Sequence, residues 1–196
     1  MAVDREAAAR AIFDFLHALG FDPKQHAELQ ETPERVTEAF ADDLLSGYQV
    51  NVKELLRKGA CEAPGAAKFS AVAVTEIAVA TVCPHHLLPA LGVAHVVYLP
   101  GPSLLGIGTI SALVEAFARR LTLQEAIAQQ VVNALMEHAG ARGAYCELAL
   151  EHSCLRARGE RQAAALVRSS ARGGELVGRE ALTEISLALG RAPGSA

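Results

Sequence analysis

The sequence has little positive charge and no long apolar run. It contains 18 Lys and Arg residues against 22 Asp and Glu residues, so its formal net charge is −4. This balance argues against the basic face of a nucleic-acid-binding protein. The most apolar stretch, AVAVTEIAVATVC, is short and contains Glu76, which is not the pattern of a membrane span. We therefore expect neither nucleic acid nor a membrane among the partners.

The sequence also lacks an N-terminal apolar segment and contains few cysteines. The first ten residues, MAVDREAAAR, include an acid at position 4, so we expect no signal peptide and a cytoplasmic location. Four cysteines in such a chain predict reduced thiols that serve metal binding or catalysis rather than disulfides. The length of 196 residues, 51% of them hydrophobic and 20% charged, fits one globular domain with a helical appendage.

Helical spacing dominates the N-terminal region, residues 1–68. Asp4 is the expected cap of a first helix and Gly20 its expected stop. Thr32 as N-cap, with Pro33 in the first turn, predicts the start of a second helix. The segment VKELLRKG predicts a short third helix, followed by a loop rich in Ala, Gly and Pro.

Alternating apolar residues begin near residue 69 and mark what we interpret as the catalytic domain, residues 69–190. Two helices separate the second strand from the third. A last helix covers Arg179–Leu189, and residues 191–196 are expected to form a flexible tail. The four predicted strands are 69–83, Val93–Leu99, Tyr145–Cys154 and Ala163–Val167.

This order predicts an α+β fold with an antiparallel four-stranded sheet, a helix pair and N-terminal helices. An open sheet leaves two edge strands, and the first predicted strand is apolar on both faces. Pairing of sheet edges between subunits would cover these surfaces. We therefore expect a homo-oligomer whose sheets join into a barrel.

Two short blocks carry the residues suited to chemistry. Cys83 and His86 lie in CPHHL, and His152 and Cys154 lie in EHSCLRARG. Two thiolates and one imidazole form a three-ligand set for Zn²⁺ that leaves a position for water, as in catalytic zinc sites. Zinc lowers the pKa of such a water to roughly 7, although iron also fits these ligand types. His85 and His152 remain for proton transfer, which predicts a zinc hydrolase or lyase.

The two blocks, with Gln124-Glu125 between them, closely resemble the GTP cyclohydrolase I family, which catalyses the first step of pterin and folate synthesis. The resemblance extends from about Glu31 to Gly174. It implies the tunnelling fold, assembled as a homodecamer of two pentamers with active sites between subunits. It also implies zinc-dependent hydrolysis of the imidazole ring of GTP at C8, with release of formate and formation of 7,8-dihydroneopterin triphosphate.

The resemblance implies a role for each candidate site residue. Zinc would be bound by Cys83, His86 and Cys154, and protons would be transferred by His85 and His152. The guanine edge would be contacted by Gln124 and Glu125, and the phosphates would be faced by Arg158 and Arg35.

Departures from the family pattern concentrate where phosphate should bind. A Ser-Lys pair expected before the helix pair is Gly108-Thr109 here, and an arginine expected three residues after that lysine is Ala112. A basic residue expected three positions after Arg35 is Glu38, and the glutamate expected after the first cysteine is Pro84. Each lost charge-assisted hydrogen bond costs about 1.5–3 kcal/mol. The triphosphate should therefore bind more weakly than in the family.

These departures leave two alternative functions open. The first is a diverged paralogue that opens a purine or pterin-like ring lacking the triphosphate. The second is a non-catalytic, zinc-stapled oligomer that binds pterins. The presence of His85 and His152 argues against this function, because a structural zinc site does not need them.

Several of these residues also fit purely structural roles. Thr122 and Glu125 have the spacing of a capping box, in which Glu125 bonds the Thr122 amide instead of a substrate. His85 fits a surface turn, and His152 fits the interior of a strand. Arg158 fits an ordinary solvated charge, and Arg35 fits a structural position one turn into a helix.

Overall fold

The computed structural model describes residues 3–62, 69–159 and 161–192. It contains a four-stranded antiparallel sheet, a helix pair packed on it and N-terminal helices, so the predicted α+β class is confirmed. The helices are α1 Arg5–Ala18, α2 Thr32–Glu38, α3 Val52–Gly59, α4 Ile107–Ala118, α5 Gln124–His138, α6 Ser153–Arg156 and α7 Ala181–Ala188. The strands are β1 Ala60–Glu62, β2 Val72–Val82, β3 Pro89–Leu99, β4 Ser103–Leu105, β5 Gly143–His152 and β6 Val167–Gly174.

The main sheet has the strand order β2-β3-β5-β6, with every neighbouring pair antiparallel. Val82 lies opposite Pro89, and Ala90 lies opposite His152. β2 and β6 are the two edge strands of this sheet. The joining of these edges between subunits stays a prediction. A second, two-stranded sheet of β1 and β4 was not predicted, because three-residue strands show too little alternation to detect.

The core lies between one face of the main sheet and the helices α4 and α5. Fully buried Leu113 and Ile127 from the helices pack in one cluster with Val96 and Leu148 from the sheet. Burial of a side chain of this size contributes about 1.5–3 kcal/mol. The opposite face is covered in part by α7, whose Ile185 belongs to a smaller cluster. One face of the sheet is thus packed against α4 and α5.

The N-terminal helices form largely as predicted. Asp4 caps α1 by accepting a hydrogen bond from the Ala7 amide (2.9 Å), and Gly20 follows the helix with a φ of +92°. The prediction of Thr32 as an N-cap was wrong, since Thr32 is the first residue of α2 and Glu31 precedes it as the cap. α2 continues directly into a wide helical segment, Ala39–Leu44, with π-type hydrogen bonding.

The C-terminal part departs most from the prediction. The fourth strand is Val167–Gly174, not Ala163–Val167, so Gly173 and Gly174 lie within a strand. Its inward positions hold small residues such as Ser169 and Ala171, and its outward positions hold Arg168 and Arg172. An alternation of small and charged residues carries no apolar periodicity, which is the pattern that predicts a strand. The last helix is also shorter than predicted.

The ends of the predicted regions border on residues outside the described ranges. The expected boundary between residues 68 and 69 coincides with the end of residues 63–68, which lie outside the described residues. Residues 193–196, which make up most of the expected tail, also lie outside them. Within that tail, Arg191 donates a hydrogen bond to Glu147 (2.6 Å), which ties it to β5. No helix among the described residues is long and apolar enough to cross a membrane.

Candidate active site

The two chemistry-bearing blocks meet at one end of the main sheet. Cys83 follows the last residue of β2, and a tight turn leads from it to β3. In this turn the Leu87 amide donates to the Cys83 carbonyl (2.9 Å) and the Cys83 amide donates to the Leu88 carbonyl (3.1 Å). Because His152 lies opposite Ala90, the second residue of β3, the end of β5 lies beside the same turn.

The start of α5 reaches the same end of the sheet. Leu121, three residues before the helix, forms a backbone bridge with Val82. This bridge places Gln124 and Glu125, the first two residues of α5, near the Cys83 turn. Three separate segments that share one sheet end therefore carry seven of the predicted site residues: Cys83, His85, His86, Gln124, Glu125, His152 and Cys154.

The expected metal ligands have the right chemistry but not a preformed geometry. All four cysteines, each among the described residues, carry free thiols. Cys83 is buried, Cys154 is half-buried and His86 is exposed. No group of three or more His, Cys, Asp or Glu side chains within the described ranges is placed to hold a metal ion. The donor set suits Zn²⁺, and its convergence on one ion stays a prediction.

Cys154 lies outside β5, contrary to the predicted strand Tyr145–Cys154. β5 ends at His152, and the chain turns at once into α6, where the Ala157 amide donates to the Ser153 carbonyl (2.8 Å). Cys154 is the second residue of this helical turn. The period-2 pattern was extended two residues too far, because alternation alone does not show where a strand gives way to a short helix.

His85 and His86 differ in orientation although they are adjacent. Both are exposed in the turn after Cys83, and their rings are nearly perpendicular with centroids 6.4 Å apart. One ring can therefore face a metal while the other faces a substrate. These separate roles for His85 and His86 remain predictions.

His152 is held by a buried glutamine. Nε2 of His152 lies 2.8 Å from Oε1 of Gln124. Gln124 is 3% exposed, and its Nε2 donates to the carbonyls of Leu148 (3.2 Å) and Val167 (2.9 Å). This contact leaves no local signal in the sequence, because the two residues are 28 positions apart. The side chain expected to contact a guanine thus has its hydrogen-bonding groups engaged by the protein.

Glu125 is exposed in the first turn of α5. The capping-box interpretation was wrong, because Leu123 is the N-cap and makes no side-chain cap bond. The Thr122 hydroxyl donates instead to the Leu123 carbonyl (3.4 Å). The Glu125 carboxylate is consequently not needed to cap its own helix.

The two candidate phosphate residues lie in different settings. Arg158 is exposed just beyond α6. Arg35 lies on α2 and forms an exposed ion pair with Glu31 one turn earlier, with Glu38 three residues further along the same helix. The setting of Arg35 agrees with a structural role in its helix, and its contact with phosphate stays a prediction.

A polar cluster lies on the opposite face of the sheet, away from α4 and α5. Burial alone would raise the pKa of the Glu147 carboxyl, but hydrogen bonds from Arg191 and Arg168 lower that pKa below its ordinary value. Burial raises the pKa of the neighbouring Tyr145 to about 12, with a further contribution from Glu147. Burial likewise raises the pKa of Cys146, a fully buried thiol on the same strand, to about 12.

Comparison with known proteins decides the family. The family model described as GTP cyclohydrolase I matches residues 8–189. The chain belongs to the GTP cyclohydrolase I family. It is accordingly an enzyme of the cyclohydrolase type, a hydrolase, as the two blocks predicted.

Curated relatives agree with this assignment. The GTP cyclohydrolase 1 of Leifsonia xyli subsp. xyli is 36% identical over 95% of this chain and 96% of its own length. The enzymes of Campylobacter jejuni subsp. doylei and Chromobacterium violaceum are 38% and 40% identical, over 86% and 78% of this chain and 86% and 71% of their own lengths.

Among solved structures, the archaeosine synthase QueF-Like in the apo form resembles this chain with a TM-score of 0.42 and 16% identity. That similarity covers 55% of this chain and 97% of the solved one.

Proposed function

We propose that this member of the GTP cyclohydrolase I family opens the imidazole ring of GTP at C8, releases formate and forms 7,8-dihydroneopterin triphosphate in the pterin and folate pathway. The observation that supports this reaction best is the meeting of the Cys83 turn, the end of β5 and the start of α5 at one end of the sheet. These segments bring thiols, imidazoles and a carboxylate into one region.

Cys83, His86 and Cys154 are the residues that would hold a zinc ion. Zinc bound there would act as a Lewis acid and lower the pKa of a water molecule, which supplies the nucleophile. The Cys83 turn is fixed by two backbone hydrogen bonds, and α6 fixes the Cys154 backbone. The exposed His86 side chain is the ligand with the most freedom to move into place.

Two histidines would handle the protons of ring opening. Hydrolysis at C8 removes a proton from water and delivers one to N7, which suits imidazole because its pKa lies near neutrality. His152 is half-buried at the end of β5, whereas His85 is exposed in the turn. We assign to His152 the proton transfer that needs exact orientation of the ring, and to His85 the exchange of protons with solvent.

The carboxylate of Glu125 would recognise the base. The N1–H and the 2-amino group of guanine are adjacent donors, and a carboxylate accepts two such bonds at once. Gln124 would contribute to this region through its contacts with His152 and the sheet. Arg158, with Arg35, would face the phosphates.

A diverged substrate is the second candidate. Gly108, Thr109 and Ala112 provide no charge in the first half of α4, and Glu38 adds a negative charge near Arg35. These residues favour a purine or pterin-like ring without the triphosphate. The third candidate, a zinc-stapled pterin-binding oligomer, differs from both in having no turnover.

Turnover of GTP, guanosine and guanine separates the three candidates. Loss of purine absorbance reports ring opening, formate reports hydrolysis, and fluorescence after oxidation reports a pterin. A strong preference for GTP supports the leading proposal, and equal or better turnover of guanosine supports the second. Pterin binding with no turnover by the zinc-loaded protein supports the third.

The proposed assembly is a cytoplasmic homo-oligomer, a decamer of two pentamers. The open edges of β2 and β6 and the exposed Phe15 of α1 are surfaces that such an assembly would cover. Light scattering coupled to size-exclusion chromatography measures the subunit number directly.

A further inference from the structure

The hydrogen bonds of Gln124 determine which way its amide group faces. Two of its three partners, the Leu148 and Val167 carbonyls, are backbone oxygens that can only accept. The group facing them must therefore be the NH₂. The amide oxygen is then the atom left for His152, 2.8 Å away.

An amide oxygen can only accept, so the His152 Nε2 facing it must carry a hydrogen. In the neutral ring this hydrogen leaves Nδ1 bare. The tautomer of His152 is thus decided by two backbone carbonyls that never touch it. A second partner that orients an imidazole is a familiar arrangement around catalytic and metal-bound histidines.

The strand pairing around His152 differs between its two sides. On one side, His152 is paired with Ala90 of β3. On the other side, the pairing of β5 with β6 ends at Leu150 and Val167, two residues before His152. β6 begins at Val167, and the NH₂ group of Gln124 donates a hydrogen bond to the carbonyl of this residue. Gln124 therefore links the His152 ring to Val167, the residue of β6 at which the pairing with β5 ends.

We propose that Gln124 is a positioning residue that fixes His152 as the Nε2–H tautomer and leaves Nδ1 as the ring nitrogen available to the substrate. This inference deepens the proposed function and rests on it for its kinetic consequence. It assigns Gln124 a role other than direct contact with the guanine base, because both hydrogens of its NH₂ bond backbone carbonyls and its oxygen faces His152.

A spectroscopic experiment tests the tautomer without turnover. Solid-state NMR of the ¹⁵N-histidine-labelled protein separates protonated from bare ring nitrogens, and the His152→Ala variant identifies the His152 signals by their loss. In the wild type we expect a protonated Nε2 and a bare Nδ1, and in Gln124→Met a mixture of tautomers. A wild-type His152 with its hydrogen on Nδ1 would overturn the proposal, whatever the activity of the protein.

A double-mutant cycle tests the kinetic consequence. His152→Ala should lower kcat for GTP by about 10²–10⁴-fold, and Gln124→Met by about 10–100-fold with KM little changed. In the His152→Ala background, Gln124→Met should cause no further loss of kcat. A raised KM, or the same loss in both backgrounds, would show that Gln124 acts on the base directly and would overturn the proposal.

Controls separate this result from misfolding and from a wrong substrate. Gln129→Met removes an exposed glutamine of the same helix that bonds only Asn133 in the described network, and it should leave kcat unchanged. If Gln124→Met does not assemble, Gln124→Asn keeps an amide for a backbone carbonyl but is too short to reach His152 as well. If the wild type does not turn over GTP, the proposed function fails, and the NMR result still decides the tautomer.

Discussion

Ala90 of β3 lies directly opposite His152, the last residue of β5. This pairing brings together two sequence blocks that are some 70 residues apart. Ala90 follows the turn that contains Cys83, and Cys154 follows His152 in α6. The register of one strand pair therefore determines whether the thiols and imidazoles can serve one site.

The proposed zinc ligands predict the metal content of cysteine variants. Cys83→Ser and Cys154→Ser should each lower zinc occupancy strongly, because a thiolate contributes most to such a site. Elemental analysis after dialysis against a weak chelator measures the zinc that remains. Cys61→Ser is the matched control, since Cys61 is an exposed free thiol in β1. Zinc retained in full by Cys83→Ser would refute the ligand assignment.

Recognition of guanine should depend on Glu125. Replacing its carboxylate in Glu125→Gln removes a charge-assisted hydrogen bond and should cost about 1.5–3 kcal/mol of binding, or about 10–150-fold in KM. Steady-state kinetics with GTP measures the change. Glu137→Gln, an exposed glutamate on the same helix, should behave as wild type. An unchanged KM in Glu125→Gln would place base recognition elsewhere.

The phosphate-site departures predict a gain of function. Ala112→Arg, at a half-buried position of α4, should restore a phosphate contact and lower KM for GTP by about tenfold, as one charge-assisted bond allows. KM for guanosine should stay the same, because guanosine has no phosphate. Ala112→Gln, of similar length without charge, is the control. If the arginine improves both substrates equally, the phosphates do not bind near α4.

The polar cluster of Glu147, Arg168 and Arg191 predicts a specific loss of folding stability in acid. The pKa of Glu147 is lowered in the folded protein, with hydrogen bonds from Arg191 and Arg168 outweighing burial. A lowered folded pKa means that the carboxylate stabilises the fold above its unfolded pKa of about 4.3. That stabilisation is lost as the pH falls through the lower, folded pKa.

Glu147→Gln should therefore be less stable than wild type at neutral pH, by about 1–3 kcal/mol, and should approach wild type in strong acid. Denaturant unfolding at a series of pH values measures both effects. Glu184→Gln, an exposed glutamate of α7, should follow the wild-type curve. A constant difference between Glu147→Gln and wild type at every pH would contradict the assignment.

The sequence predicted those parts of the fold where periodicity is strong. The alternation before Cys83 and the apolar stripes of α4 and α5 correspond to β2 and the helix pair. Prediction failed at β6, because Arg168 and Ser169 alternate in charge and size rather than in hydrophobicity. It failed again at Cys154, because a one-turn helix leaves no periodic signal.

The candidate site was only partly accessible from the sequence. Ligand-type residues such as Cys83 and His86 stand out by their chemistry and spacing. The contact of Gln124 with His152 depends on where α5 crosses the end of β5, which no local pattern encodes. The burial of Gln124 is likewise a tertiary property, and it underlies our proposal that this residue supports His152 rather than contacting the base.

The fate of the C8 carbon tests the central claim most directly. Purified, zinc-loaded protein is incubated with GTP labelled with ¹³C at C8, and the products are followed by NMR and by pterin fluorescence after oxidation. We predict that the label appears as formate in an amount equal to the dihydroneopterin triphosphate formed, and that Cys83→Ser abolishes both products. Label that stays in an intact purine ring, with the metal site fully loaded, would contradict the account.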